Sequence, residues 1–206
     1  MLPPVQRPIL VPPRYPSGSR EDPTQGLTKE EAAKAFETWH AALPPDDVVV
    51  FSDGSQDKTE IGYGFAVYQN KRLLGTGRGR LDPCSTVFDA EVVGAWKGLK
   101  HVVTGPPKIS RKRIWVCLDN TGAIWGVRAN ATVSSQWAYL KFHAAADTHN
   151  VGVRWCPGHY NVKGNELADK LAKAGSKQRD VDSDCTATAY GIKSRARLRN
   201  KAQREM

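Results

Sequence analysis

The chain has 206 residues, 40% of them hydrophobic, and a formal charge of +9. That length suits one domain with tails, and the four cysteines, with no CxxC pair among them, argue against a disulfide scaffold or a zinc ribbon. No apolar run reaches the length of a membrane span and the start, MLPPVQRP, lacks the apolar core of a signal peptide, so the chain is expected to be intracellular, in nucleus or cytoplasm, with no membrane partner.

In chain order, residues 1–26 hold seven of the thirteen prolines and show no apolar period. That predicts a Pro-rich linker or arm over 1–27. Thr28-x-x-Glu31 then reads as a capping box, and Ala32, Ala35, Phe36 and Trp39 follow at helical spacing before Pro44-Pro45. Residues 28–45 are therefore expected to hold a short helix that packs on the domain to come.

The domain itself is expected over 46–178. Its pattern predicts strands at 48–53, 61–70 and 72–81, a helix at 86–103, a strand at 113–118, helices at 120–128 and 134–149, a strand at 151–156 and a helix at 163–175. Three antiparallel strands followed by βα units imply a mixed five-stranded sheet flanked by helices, an α/β fold.

Four acids occupy settings within that pattern. Asp53 follows the apolar run Val48–Phe51 in Ser52-Asp53-Gly54-Ser55, which places it at a strand's carboxyl end, although Asp-Gly also reads as a plain hairpin turn. Asp119 repeats the arrangement after Ile114–Leu118. If the two strands are parallel neighbours, both carboxylates leave the sheet at one edge, and like charges held so close call for a divalent cation. Glu91 lies on the helix that opens with Thr86-x-x-Asp89, with the small residues Ala95 and Gly98 on its face, so that this face can approach the sheet. Asp169 borders the stripe of Leu167, Leu171 and Ala174, and Glu166 stands four residues before Lys170, the spacing of a helical ion pair.

Taken in order, the strand with Ser-Asp-Gly-Ser, the helix with Ala90-Glu91, the strand with Leu118-Asp119-Asn120, and above all Trp155-Cys156-Pro157-Gly158-His159-x-x-x-x-Gly164-Asn165-Glu166-x-Ala168-Asp169 resemble the ribonuclease H family. The last motif resembles the form found in non-LTR, LINE-type retrotransposon polyproteins. The resemblance covers residues 46 to 178 or so and implies the strand order 3-2-1-4-5 with strand 2 antiparallel, which makes the first and fourth strands neighbours. It also implies an endoribonuclease that cuts the RNA strand of RNA–DNA hybrids and leaves 5′-phosphate ends. Asp53, Glu91, Asp119 and Asp169 would hold two Mg²⁺ ions, with Mn²⁺ able to substitute, and His159 would carry protons or help product leave. Gly54, Ser55, Asn120 and Asn165 are the weaker candidates for nucleic-acid contacts. Asn120 stands where cellular and retroviral members commonly have Ser.

The partners follow from the same resemblance: an RNA–DNA hybrid, and a reverse transcriptase domain upstream in a longer polyprotein, with the isolated chain a monomer. Charge is distributed accordingly, since residues 46–178 carry eighteen basic and twelve acidic groups while residues 1–45 are balanced. Residues 119–150 offer only Arg128 and Lys141, so the basic handle of some cellular members is lacking. Residues 179–206 form a basic tail, expected to be flexible, with six cations and no acid from Lys193 to Arg204. It suits phosphates or a localisation signal. Two other readings remain: another nuclease or transferase of the superfamily, and a catalytically silent hybrid-binding or connection module.

Overall fold

A computed structural model describes residues 22–105, 112–128, 135–182, 197 and 200–203. Most of the expected N-terminal arm and basic tail lies outside these residues. The described elements run α1 (Lys29–Ala41), β1 (Val48–Asp57), β2 (Glu60–Gln69), β3 (Arg72–Leu81), α2 (Val87–Thr104), β4 (Ile114–Leu118), α3 (Thr121–Arg128), α4 (Gln136–Thr148), β5 (Val151–Trp155) and α5 (Lys163–Ser176). The five strands form one sheet in the order β3-β2-β1-β4-β5, the order implied by the resemblance to the ribonuclease H family. β2 runs antiparallel to β1 and β3, while β4 lies parallel to both β1 and β5.

Alternation along β1 explains why the sheet is covered on both faces. Val48 and Val50 enter the larger core with α2, α3 and α4, whereas Val49 and Phe51 enter a second core with Phe36 of α1 and Ala168 of α5. Successive strand residues point to opposite faces, so a run of four apolar residues needs a cover on each side.

Glycines let those covers come close. A Cβ on Gly98 would stand 2.5 Å from Val50 Cγ1, and one on Gly94 would stand 2.5 Å from Ser52 Oγ. On the other face, a Cβ on Gly64 would collide with the backbone of Ala168 and Ala172 in α5. The alternating glycines of β2, which the sequence presents only as a meander, are thus the seat of α5. Any larger residue there would push the helix off the sheet.

α2 starts with a complete capping box: Thr86 Oγ1 accepts from Asp89 N–H, and Asp89 Oδ2 accepts from Thr86 N–H at 2.8 Å. The other oxygen of this fully buried carboxylate accepts from Ser135 Oγ at 2.6 Å, which ties α4 to the first turn of α2. α1 also carries its capping box, Thr28 with Glu31. It docks through Phe36 on Phe51, with ring centres 6.0 Å apart, and through Trp39 edge-on to Trp115 at 5.1 Å. The Arg154 guanidinium lies 4.4 Å over the Trp39 ring. Truncating a ring as buried as Phe36 costs roughly 3–5 kcal/mol, so α1 is a firm part of the packed body.

After α5 the chain returns to the sheet edge. Val181 bridges Arg80 of β3, and Asp182 accepts from Tyr63 Oη at 2.7 Å while pairing with Lys97 at 3.0 Å. Among the described residues, no helix is long and apolar enough to cross a membrane.

Candidate active site

The parallel pairing of β1 with β4 ends at Phe51 opposite Cys117. Two residues further along each chain stand Asp53 and Asp119, so the shared register brings both carboxylates out at one edge. The strand does not stop there, however. β1 continues to Asp57 as the antiparallel partner of β2, with Asp53 opposite Gly64, and the hairpin is made at Lys58, φ +52°. Asp53-Gly54 is therefore neither a strand end nor a turn: it is the place where β1 loses one neighbour and keeps the other. Gly54 is needed for a different reason. A Cβ there would stand 2.8 Å from Val87 O and 2.9 Å from Glu91 N, so its absence lets the first turns of α2 rest on β1 and aim Glu91 at Asp53.

Asp53, Glu91 and Asp119 each offer an oxygen within 4.8 Å of the others. Asp53 is 6% exposed and Glu91 3%, while Asp119 is half-buried. Burial and crowding act together on this trio. Burial first, and then the charges of Asp119 and Asp169, push the Asp53 carboxyl up to about 7, against the pull of the Gly54 N–H that donates to Asp53 Oδ1 at 2.8 Å. Glu91 is held well above the usual carboxylate range by burial, then by Asp53 and Asp119. The two carboxyls thus oppose each other's ionisation, and both are held above the ordinary carboxylate range. Burial also raises Asp119, opposed by His159, Lys29 and a hydrogen bond from Asn165.

These residues fit a hard divalent cation. The donors are all carboxylate oxygens, they converge from three elements, and Glu91 Oε2 is buried with no hydrogen-bond partner. An orphaned acceptor among mutually repelling carboxylates is relieved by a cation, and an all-oxygen set suits Mg²⁺ or Mn²⁺.

Asp169 lies in a second group. Its carboxylate, that of Glu166 and the ring of His159 come within 4.8 Å of one another, on the first turns of α5 and the loop before it. His159 is exposed and holds φ at +61°. Asp169 still lies near enough to raise Asp53, so the two groups form one acidic edge. Among the described residues, the ion pair on α5 is Asp169 with Lys173 at 2.7 Å rather than the expected Glu166 with Lys170.

The weaker candidates divide. Asn165 is 2% exposed and lies close enough to Asp119 to help hold its carboxyl down against burial. Asn120 Oδ1 accepts from Ala123 N–H at 3.0 Å and so caps α3. Ser55 sits half-buried on β1 opposite Gly62. Two further neighbours of Asp119 are not evident from the motifs alone. Trp155 Nε1 donates to the Asp119 carbonyl at 2.9 Å, a role its place at the head of the longest motif could have suggested. Lys29 reaches Asp119 only because α1 folds back onto the domain, and no local signal announces that.

Comparisons with known proteins agree with this architecture. The family model described as RNase H matches residues 45–177. The chain is similar to the N-terminal RNase H domain of a Mycobacterium tuberculosis protein, at 20% identity and TM-score 0.50, over 63% of this chain and 96% of that one. It is similar to LC11-RNase H1, solved in complex with RNA/DNA hybrid, at 15% identity and TM-score 0.51, over 62% and 98%. A third likeness is to a foamy viral protease-reverse transcriptase, also in complex with RNA/DNA hybrid, at 16% identity and TM-score 0.54, over 66% of this chain but only 21% of that much longer one. At these identities the structural likenesses speak for the fold alone, and comparison with curated protein sequences found no match. The family model itself spans well over half of the chain, and it is on that match, carried by the same sheet, that this protein belongs to the RNase H family.

Proposed function

We propose that the chain is a hybrid-specific endoribonuclease, hydrolysing the RNA strand of RNA–DNA hybrids with two divalent ions, Mg²⁺ by preference, and leaving 5′-phosphate ends. The observation that carries this reading is the buried convergence of Asp53, Glu91 and Asp119, with one Glu91 oxygen unpartnered. Family membership supports it, as do the hybrids bound by LC11-RNase H1 and by the foamy viral enzyme.

Asp53, Glu91, Asp119 and Asp169 would hold the ions. Bound there, divalent cations supply a more acidic water and neutralise charge on the leaving oxygen. The chain's own residues do the rest. The sheet edge fixes Asp53 and Asp119 by backbone register, Asn165 and Trp155 steady Asp119, and Gly54 keeps α2 close enough for Glu91 to reach. His159, exposed on a loop beside Asp169, would serve to give a proton from its ring nitrogen to the leaving 3′-oxygen or to ease the exit of product. Selection of RNA over DNA would rest on contacts to 2′-hydroxyls in the shallow minor groove.

We further propose a retroelement origin, with a reverse transcriptase domain upstream in the parent protein. The form of the motif from Trp155 to Asp169 supports it, and the foamy viral neighbour joins the same fold to a reverse transcriptase. The direct test is cleavage of labelled RNA–DNA hybrid, RNA duplex and single-stranded RNA with Mg²⁺, with Mn²⁺ or in EDTA. Cutting confined to the RNA of the hybrid and abolished by EDTA is expected; equal cutting of single-stranded RNA would overturn the hybrid assignment.

A further inference from the structure

Helix α1 lies outside the segment 45–177 that matches the family, and its contact with the domain leaves a cavity of about 310 Å³. The floor is apolar, made by Phe36 and Phe51, and Val162 closes one side. His40 and Tyr68, both half-buried, form the walls, each with its ring edge-on to Phe51 at centre distances of 5.9 and 5.8 Å. The rim is cationic. Lys71 and Lys163 are both exposed there against a single acid, Glu37, and Lys71 lies close enough to add to the burial that depresses His40.

The polar end of the cavity is also the start of α5. Val162 gives no side-chain cap, and the first turn of a helix leaves N–H groups without intrahelical partners. Gly164 lines the cavity next to Phe51, where a Cβ would collide with the ring.

Size and chemistry together select a class of ligand. A volume near 300 Å³ sits at the lower end of small-molecule sites, too small for a peptide or a duplex. Aromatic walls suit a flat ring system, as in proteins that stack bases on aromatic side chains, and two lysines suit an anion at its end. We propose that this cavity binds a nucleoside monophosphate, free or as the 5′-terminal nucleotide of a strand. The base lies between His40 and Tyr68, and the phosphate lies between Lys71 and Lys163. The cavity's lining includes none of the acids of the carboxylate edge, and its occupation requires no divalent ion.

The test is a titration of the full chain with adenosine 5′-monophosphate in EDTA, followed by ¹H–¹⁵N NMR. Saturable shifts confined to residues around 36–40, 68–71 and 161–164 are expected. Adenosine alone and inorganic phosphate alone should bind at least tenfold more weakly, because each meets only half of the site. The double variant Lys71→Glu, Lys163→Glu, whose side chains are exposed, should leave the remaining spectrum in place and weaken binding about tenfold or more. A 5′-phosphorylated tetradeoxynucleotide giving the same shifts assigns the site to strand ends; silence from it, with binding of the mononucleotide, assigns it to free nucleotide. No saturable shift, inorganic phosphate binding as well as the nucleotide, or shifts centred on Asp53 and Glu91 would each overturn the proposal. Because the measurement is made without divalent ions, it stands or falls independently of nuclease activity.

Discussion

Two groups of three residues share the open edge of the sheet, and their surroundings differ sharply. Asp53, Glu91 and Asp119 come from two strands and a helix, and the first two are almost sealed from solvent. His159, Glu166 and Asp169 come from one helix and the loop leading into it, and all three are open at least in part. In the first group burial raises every carboxyl, repulsion adds to it at Asp53 and Glu91, and Glu91 keeps an oxygen without a partner. In the second, Lys173 sits 2.7 Å from Asp169 and supplies a cation already. The buried trio is thus a crowded arrangement that a divalent ion would relax, whereas the outer trio is open to water. Metal affinity should reside chiefly in the first, with Asp169 adding a fourth ligand from the second, and adjustment of rate in His159.

The largest effect expected from this contrast is on Asp119→Asn. It keeps the shape and the Trp155 contact to the backbone but removes a charge from the trio, so cleavage should fall by orders of magnitude while hybrid binding survives. Near wild-type cleavage by this variant would erase the distinction between the groups. His159→Ala should cost less, about 10² or below, since water can replace an exposed proton carrier. If it proves the more damaging change at saturating Mg²⁺, the roles of the two groups are reversed.

Stability offers a view of the same contrast without chemistry. The Asp53 carboxyl moves from its ordinary 3.8 up to about 7, and Glu91 is raised as well. A carboxyl raised in the folded state favours the fold while protonated, and that contribution is lost as pH climbs through its folded value. In EDTA the chain should therefore melt lower at pH 8 than at pH 6; saturating Mg²⁺ should narrow the gap, and Asp53→Asn should remove most of it. Identical melting at both pH values in EDTA would show that the trio is not strained. The smallest effect belongs to Lys173→Ala, which breaks a pair with a largely exposed lysine. It should alter stability by less than about 1 kcal/mol and cleavage by no more than a few-fold. Circular dichroism melts and the hybrid assay read both.

Much of this organisation was legible from residue order. Continuous apolar runs of strand length marked β1 and β4, and the capping signals at Thr28 and Thr86 marked the starts of α1 and α2, because each depends on neighbours within a few residues. Asp53 shows where local reading fails. Asp-Gly favours a turn, but pairing with Gly64 of β2 carries the strand on to Asp57, and hydrogen bonds to a neighbouring strand outweigh a dipeptide preference. The same holds for Asn165, whose helical position gives no sign that its amide is enclosed against Asp119.

By itself, then, the sequence determined the order and type of the elements and set four acids in family-like surroundings, since periodicity, caps and motifs are local properties of a chain. Only the tertiary structure decided which acids share a site. It placed Asp169 with His159 and Glu166, brought Lys29 from a distant helix toward Asp119, and used the glycines of β1, β2 and α2 to close the distances. Those outcomes depend on how closely helices seat on a sheet, which is settled by packing between residues far apart in the chain.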